Sequence, residues 1–352
     1  MVDEVECVAS VLLAIVFGHL ADARNISWAA YSGYMVMRGH ISESLLRAVL
    51  RVVGTVAGAM LALGLVPLVR TSPAASAAAL ALVGGGALYG ALTSKRSYGW
   101  LFVGLTFAMV LLDKLVAPYG AVEAFASTRI RENVAGTAAC VLVSMVSTLT
   151  LRRRWPGPPR APATSFGWRP EAAGHASQGA VALAILPFLG AVFRVPELSQ
   201  SAITIMAVMI VPVSGIGASG LMPVSRRILL RVAGCVTGAA VAAPFLSLAR
   251  AWTQAVEPVL IVGTMLGVVL GRHIENGKSP IAYAGTQFTL AMLVILVPDS
   301  YARPDLGPGV ARLTGILVGI LVLEPVLVAW RLVAPATRGA GPFRGTAASR
   351  RD

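Results

Sequence analysis

The chain has 352 residues, of which 56% are hydrophobic and only 13% are charged. Soluble domains carry about 25% charged residues, so this composition excludes a soluble enzyme and a disordered chain and points to a polytopic all-α membrane protein. The net charge of +13 comes from 26 arginines and three lysines dispersed between apolar runs, which is how membrane proteins set their topology rather than a nucleic-acid footprint.

A helix crossing the hydrocarbon needs about 20 apolar residues. In chain order the apolar runs are 4–21, 26–38, 45–69, 74–93, 97–117 and 132–151, then 177–193, 198–214, 226–249, 255–271, 279–298 and 309–333. This predicts about twelve transmembrane helices. The first run opens on Asp3, Glu4 and Glu6, where a signal peptide carries basic residues, so it reads as a retained helix. The second reaches only about 20 Å and is expected to be short, tilted or re-entrant. Between the sixth and seventh runs lies a polar stretch with Pro156, Pro158, Pro159 and Pro162, opened by the basic run Arg152–Arg154; it reads as a cytoplasmic connector and not as a nucleic-acid patch. The expected organisation is a first six-helix unit over 1–151, a linker over 152–176, a second unit over 177–333 and a short tail over 334–352. Of the 29 basic residues, 20 fall at the termini and in the even-numbered connections, which predicts that both termini are cytoplasmic.

The two units share a pattern. LRAVLRVVGTVAG (46–58) and RRILLRVAGCVTG (226–238) align at an offset of 180, matching Arg47, Arg51, Gly54 and Gly58 with Arg227, Arg231, Gly234 and Gly238. TFAM (106–109) matches TLAM (289–292) at 183, and Gly136 matches Gly315 at 179. A duplicated unit of six spans predicts two parallel repeats about an axis along the membrane normal.

The spacing i, i+4, i+7, i+11 puts both arginines and both glycines of each copy on one helical face. Small residues admit a close partner helix, which aims the arginines on that face into the bundle. With helix starts at about Ser44 and Pro223, the arginines fall in the first two turns, where the positive end of the helix dipole adds to their charge. Two such faces predict a positive funnel for a carboxylate, which guanidinium holds bidentately. Arginines at a helix end also snorkel to the interface, and that reading stays open. Glu324 is the only acid deep within an apolar run and is a candidate for proton coupling, or else an acid near a membrane face. Tyr98, Trp100 and Tyr283 are candidate aromatic contacts, or members of an interfacial belt. Asp113 and Asp299 read as solvated caps. The Arg131–Glu132 pair and Arg312 read as interfacial anchors or an exit ring for anions. The histidines His19, His40, His175 and His273 show no ligand spacing, and Cys7, Cys140 and Cys235 each lie within an apolar run, so neither a metal, a cofactor nor a disulfide is expected.

SWAAYSGYMVMRGHISESLLRAVLRVVGTVAG (27–58) resembles the fusaric acid resistance family, also called the aromatic acid exporters, through Trp28, Ala29, Arg47, Arg51, Gly54, Thr55 and Gly58. The second half keeps the arginines and glycines but lacks the tryptophan and has Cys235 in place of the threonine. The resemblance implies efflux of aromatic or other organic acids across the bacterial inner membrane. It extends distantly to the aluminium-activated malate transporters, which are anion channels of paired six-span units. The expected partners are the lipid bilayer and a small anionic or aromatic substrate, with a second copy or an accessory envelope protein open. The alternatives to an exporter are a passive organic-anion channel and a non-transporting membrane scaffold. A membrane-embedded enzyme would need an intramembrane catalytic constellation, which the sequence does not offer.

Overall fold

The computed structural model describes residues 2–116, 121–155, 169–193, 195, 197–213, 216, 220–277, 279–299 and 305–333. The linker prolines, the tail 334–352, and Arg194, Lys278 and Arg303 lie outside these residues. Among the described residues there are thirteen α-helices and no strands. The first six are α1 (Val2–Leu20), α2 (Ile26–Val36), α3 (Ile41–Val69), α4 (Pro73–Thr93), α5 (Ser97–Val116) and α6 (Val122–Leu149). A short α7 (Leu151–Arg154) follows, and then α8 (Pro170–Phe193), α9 (Leu198–Met209), α10 (Leu221–Ala251), α11 (Val256–Asn276), α12 (Ala282–Leu296) and α13 (Gly307–Val333).

Eight helices are long and apolar enough to cross a membrane: α3, α4, α5, α6, α8, α10, α11 and α13. Helices α9 and α12 are apolar but shorter, with 12 and 15 residues, and α2 has 11. Several helices outrun their apolar segments, because backbone hydrogen bonding continues into polar turns that hydropathy does not see. Helix α6 starts ten residues before the run at 132 and takes in Glu123, Arg129, Arg131 and Glu132. Helices α3 and α10 start at Ile41 and Leu221, about three residues earlier than expected. Arg51 and Arg231 therefore lie in the third turn. The helix dipole acts within the first turn, so it does not supply the field expected there.

The packing partners of the first six helices recur among the last six. Helix α3 packs on α5 and α10 on α12, α1 on α6 and α8 on α13, and α2 on α6 and α9 on α13. Burial falls on corresponding positions of α3 and α10: Ser44 and Val224, Ala48 and Ile228, Arg51 and Arg231, Gly54 and Gly234, Thr55 and Cys235, Gly58 and Gly238. A Cβ at Gly54 or Gly58 would strike the carbonyl oxygen of Gly99 or Val103, and one at Gly234 or Gly238 that of Ala284 or Phe288. These contacts align α5 with α12 at an offset of 185, not the 183 of the TFAM/TLAM match. The connection 277–281 is two residues longer than 94–96, which shifts α12 in register without moving its packing.

The halves meet at α4–α8, α5–α9 and α1–α11, and the first and last of these differ in kind. At α4–α8 the contact is apolar and close, with Gly84 and Gly85 against Leu183 and Ala180 and Gly179 against Leu88. At α1–α11 it is ionic: Arg272 Nε donates to Asp3 at 2.5 Å, its Nη1 lies 3.3 Å from Glu275, and Tyr34 donates to Glu275 at 2.6 Å. Arg152 joins the cluster through Asp3 at 3.3 Å and Glu6 at 2.5 Å. Large apolar side chains such as Leu82, Leu321 and Met222 face outward, the surface that a lipid bilayer covers.

Candidate anion-binding site

Helices from both halves enclose a cavity of about 200 Å³. Its lining includes Arg51, Arg129, Arg227, Arg231 and Arg312 together with Trp28, Tyr31, Tyr98, Phe102 and Tyr283. The glycine faces explain how long cationic side chains reach it. They let α3 and α10 lie against α5 and α12 at backbone distance, and each arginine one turn before its glycine is then carried inward.

Arg51 is 3% exposed. Its Nε donates to Asn133 Oδ1 at 2.6 Å and its Nη1 to the Tyr98 hydroxyl at 2.8 Å, and its guanidinium lies 4.1 Å from the centre of the Phe102 ring. Arg231 is 2% exposed. Its Nη1 donates to Gln287 Oε1 at 2.8 Å and to the Tyr283 hydroxyl at 3.4 Å. Arg47 and Arg227 are half-buried one turn earlier, over Tyr98 at 5.0 Å and Tyr283 at 4.3 Å. Arg227 also donates to the carbonyl of Ile210, just past the end of α9. Arg47 stacks behind Tyr98 and is not among the lining residues.

Arg312, read as an anchor or part of an exit ring, lines the cavity, and so does Arg129, which the sequence did not single out. Arg129 is 5% exposed and Arg312 4%. Arg129 sits over Trp28 at 4.8 Å and Phe125 at 5.1 Å. It is Arg129, not Arg131, that pairs with Glu132, at 3.1 Å and one helical turn away. Arg131 is exposed. Arg312 lies 5.6 Å from the Tyr31 ring and donates to Gln287 Oε1 at 3.5 Å. An amide thus links two arginines in each half. Gln287 accepts from Arg231 and Arg312, while Asn133 accepts from Arg51 and donates to the backbone carbonyl of Arg129 at 2.9 Å. The result is two ladders of two guanidinium rungs, one from α3 and α6 and one from α10 and α13.

The signal for the missed rungs was present. Arg129, Asn133, Gly136 and Cys140 repeat the i, i+4, i+7, i+11 spacing of Arg47 to Gly58, and all four are buried. The pattern begins before the apolar run, in a stretch that hydropathy assigns to a loop.

Several guanidinium atoms facing this space are buried and lack a hydrogen-bond partner: Nε of Arg129, Nε and Nη2 of Arg231, and Nε of Arg312. A buried charged donor left unpaired costs about 1–3 kcal/mol or more, so these positions are ones that an anion would stabilise. Among the described residues the only carboxylate paired with these arginines is Glu132.

Two recesses of about 230 and 570 Å³ share Trp28, Arg129 and Arg312 with the cavity and carry Asp113, Glu197, Asp299 and Asp305 on their walls. Past the Arg129 and Arg312 rungs the lining therefore turns acidic. Asp299 is more than a solvated cap, because it accepts from the amide of Ile26 at 2.9 Å and closes the start of α2. Desolvation there pushes its carboxyl above the usual range, opposed by that amide. Asp113 lies 2.9 Å from Lys114.

Besides Arg47, the structure leaves Trp100 and Glu324 outside the cavity. Trp100 is 46% exposed and packs on Gly90. Glu324 is half-buried, accepts from Ser225 at 2.8 Å, and does not line the cavity. No group of three or more histidine, cysteine or carboxylate side chains suited to a metal ion occurs among the described residues.

Residues 12–143 match the family described as fusaric acid resistance protein-like. No curated protein and no solved structure gives a match. The matched stretch holds Arg47, Arg51, the α3 glycines, Arg129 and Asn133, that is, the whole first ladder. It supports the likeness carried by 27–58: the chain is a multi-pass, transporter-like membrane protein whose first six helices resemble the fusaric acid resistance protein-like family.

Proposed function

We propose that the chain exports aromatic carboxylic acids across the bacterial inner membrane, through twelve crossings arranged as two parallel sets with both termini in the cytoplasm. The observation that carries this reading is the convergence of five arginines from both halves on one aromatic-walled cavity. The cavity exceeds the ~150 Å³ that holds a benzene molecule, and its rings offer faces to an aromatic substrate. The free donors of Arg231, Arg129 and Arg312 suit a carboxylate, which guanidinium binds in a planar fork. Arg51 and Arg231 form the inner rungs, Arg129 and Arg312 the outer ones, and the acidic recesses beyond repel the anion toward release.

The test is benzoate efflux from proteoliposomes. The double variant Arg51→Ala, Arg231→Ala removes one charge-assisted contact per half, each worth about 1.5–3 kcal/mol, so transport at low substrate falls by tenfold or more. Wild-type transport by a correctly inserted double variant contradicts the proposal.

A passive anion channel is the second reading. It is favoured by the position of Glu324, which bonds Ser225 away from the cavity. Glu324→Gln separates the two. A proton-driven exporter working through Glu324 loses uphill transport in a pH gradient, whereas a channel keeps its conductance.

A further inference from the structure

The two ladders differ at one position. Gly136 packs on Ala29 and Ser32 as Gly319 packs on Ser201 and Thr204, which aligns α6 with α13 at an offset of 183, not the 179 of the Gly136/Gly315 match; this sets Arg129 against Arg312 and Glu132 against Gly315, so the second ladder has no carboxylate at that position. Glu132 is fully buried. Its two oxygens are held unequally. Oε1 accepts from the backbone and side-chain nitrogens of Asn25, both at 3.1 Å. Oε2 lies 3.1 Å from Arg129 Nη1, yet neither atom has a hydrogen-bond partner. The contact is one of charge without directional hold, and it leaves the same guanidinium facing both the cavity and the 230 Å³ recess that Asn25 also lines.

A substrate anion and Glu132 therefore compete for Arg129. If both stay charged, two carboxylates share one guanidinium, and at a buried position such as that of Glu132 like charges repel more strongly than in water. We propose that Glu132 is a proton-linked latch on Arg129: an anion arriving at Arg129 displaces the Glu132 carboxylate, which takes up one proton at Oε2 from the surrounding solution. The charges balance, since the anion brings −1 and the proton +1, and Arg129 exchanges one carboxylate partner for another. No covalent bond other than O–H changes. The idea rests on the reading of the cavity as an anion site and adds the stoichiometry of that site.

The other charges around Glu132 favour this exchange. From its own helix comes Arg129. Asp299, after α12, sits at the same start of α2 through the amide of Ile26 and disfavours a second negative charge there. From α5, Asp113 is paired with Lys114. From α1, His19 lies toward Asp299. From α3, Arg51 is separated by the neutral Asn133. Asn25, leading into α2, is uncharged.

The experiment is benzoate binding to the detergent-solubilised full chain, by calorimetry between about pH 5.5 and about pH 8 in two buffers of different ionisation enthalpy. Benzoate stays ionised over this range, as carboxylic acids titrate near pH ~4. The wild type is expected to take up close to one proton per benzoate in the part of the range where Glu132 is ionised in the free protein, with Kd rising there by up to tenfold per pH unit. Glu132→Gln keeps the acceptor for Asn25 and should bind at all pH values as tightly as the wild type does at the acidic end, with no proton uptake. Zero proton uptake and a pH-independent Kd in the wild type overturn the latch, and so does a Glu132→Gln protein that keeps the wild-type slope. Arg51→Ala, Arg231→Ala in the same assay tests the anion site separately: unweakened binding there refutes the cavity reading, whatever the pH profile.

Discussion

Among the described residues Arg231 has no carboxylate partner; it is 2% exposed and leaves two of its donor nitrogens without a hydrogen bond. Such a group weakens the fold unless something is gained by it, because apolar replacements of buried ionic groups are often neutral or stabilising by about 1–4 kcal/mol. Arg231→Met should therefore leave thermal stability unchanged or raised while weakening benzoate binding by tenfold or more, readable by thermal unfolding and calorimetry on the same sample. A snorkelling anchor would show the opposite, with stability lost and binding unaffected. The inner rungs were legible in the sequence, because Arg51 and Arg231 share a face with glycines inside long apolar runs. The outer rungs were not. Arg129 and Arg312 stand at the edges of their runs, where an arginine serving the interface and one turned inward look alike until the neighbouring helices are in place.

At the scale of helices, the site depends on how closely α3 approaches α5 and α10 approaches α12. Gly54 has the carbonyl oxygen of Gly99 where a Cβ would stand, whereas Gly86 in α4 has nothing within 4 Å. Gly54→Ala should push α3 outward and destabilise by about 1–3 kcal/mol, and it should lower benzoate affinity because Arg51 moves with the helix. Gly86→Ala should be neutral or stabilising by up to about 1 kcal/mol. Equal melting temperatures for the two variants would show that the glycine face does not set the packing. The sequence displayed these faces through their i, i+4, i+7, i+11 spacing. It concealed the start of α6, whose first turns are charged, and the two-residue lengthening before α12, which displaces the TFAM/TLAM match from the true helix register. Hydropathy measures transfer into lipid, so charged helical turns look like a loop to it, and a change in the length of a connection does not register in it at all.

For the molecule as a whole, the contacts between the halves include two unlike seams, one apolar at α4–α8 and one ionic at α1–α11, besides the contact of α5 with α9. Arg272 is 3% exposed and bonded to Asp3 and to the carbonyl of Met37. Removing one partner of a buried ion pair costs about 3–5 kcal/mol, so Arg272→Ala should lower the melting temperature markedly. The matching change on the other seam, Leu183→Ala, should cost about 2–5 kcal/mol by leaving a void. If the halves were held by one seam alone, one of these variants would melt like the wild type. The all-helical membrane class followed from composition and spacing. The ionic seam did not, because Asp3, Arg152 and Arg272 come from distant parts of the chain and meet only when the bundle closes.

The proposed function places an aromatic carboxylate in the cavity between the two ladders. The most direct measurement is a crystal structure of the full chain with 4-bromobenzoate, read by the anomalous signal of bromine. The account predicts a single strong peak among Tyr98, Phe102 and Tyr283, with the carboxylate on Arg231 and Arg129 or Arg312. Bromine found only at the lipid-facing surface, with those guanidinium groups bonded to water alone, would contradict it.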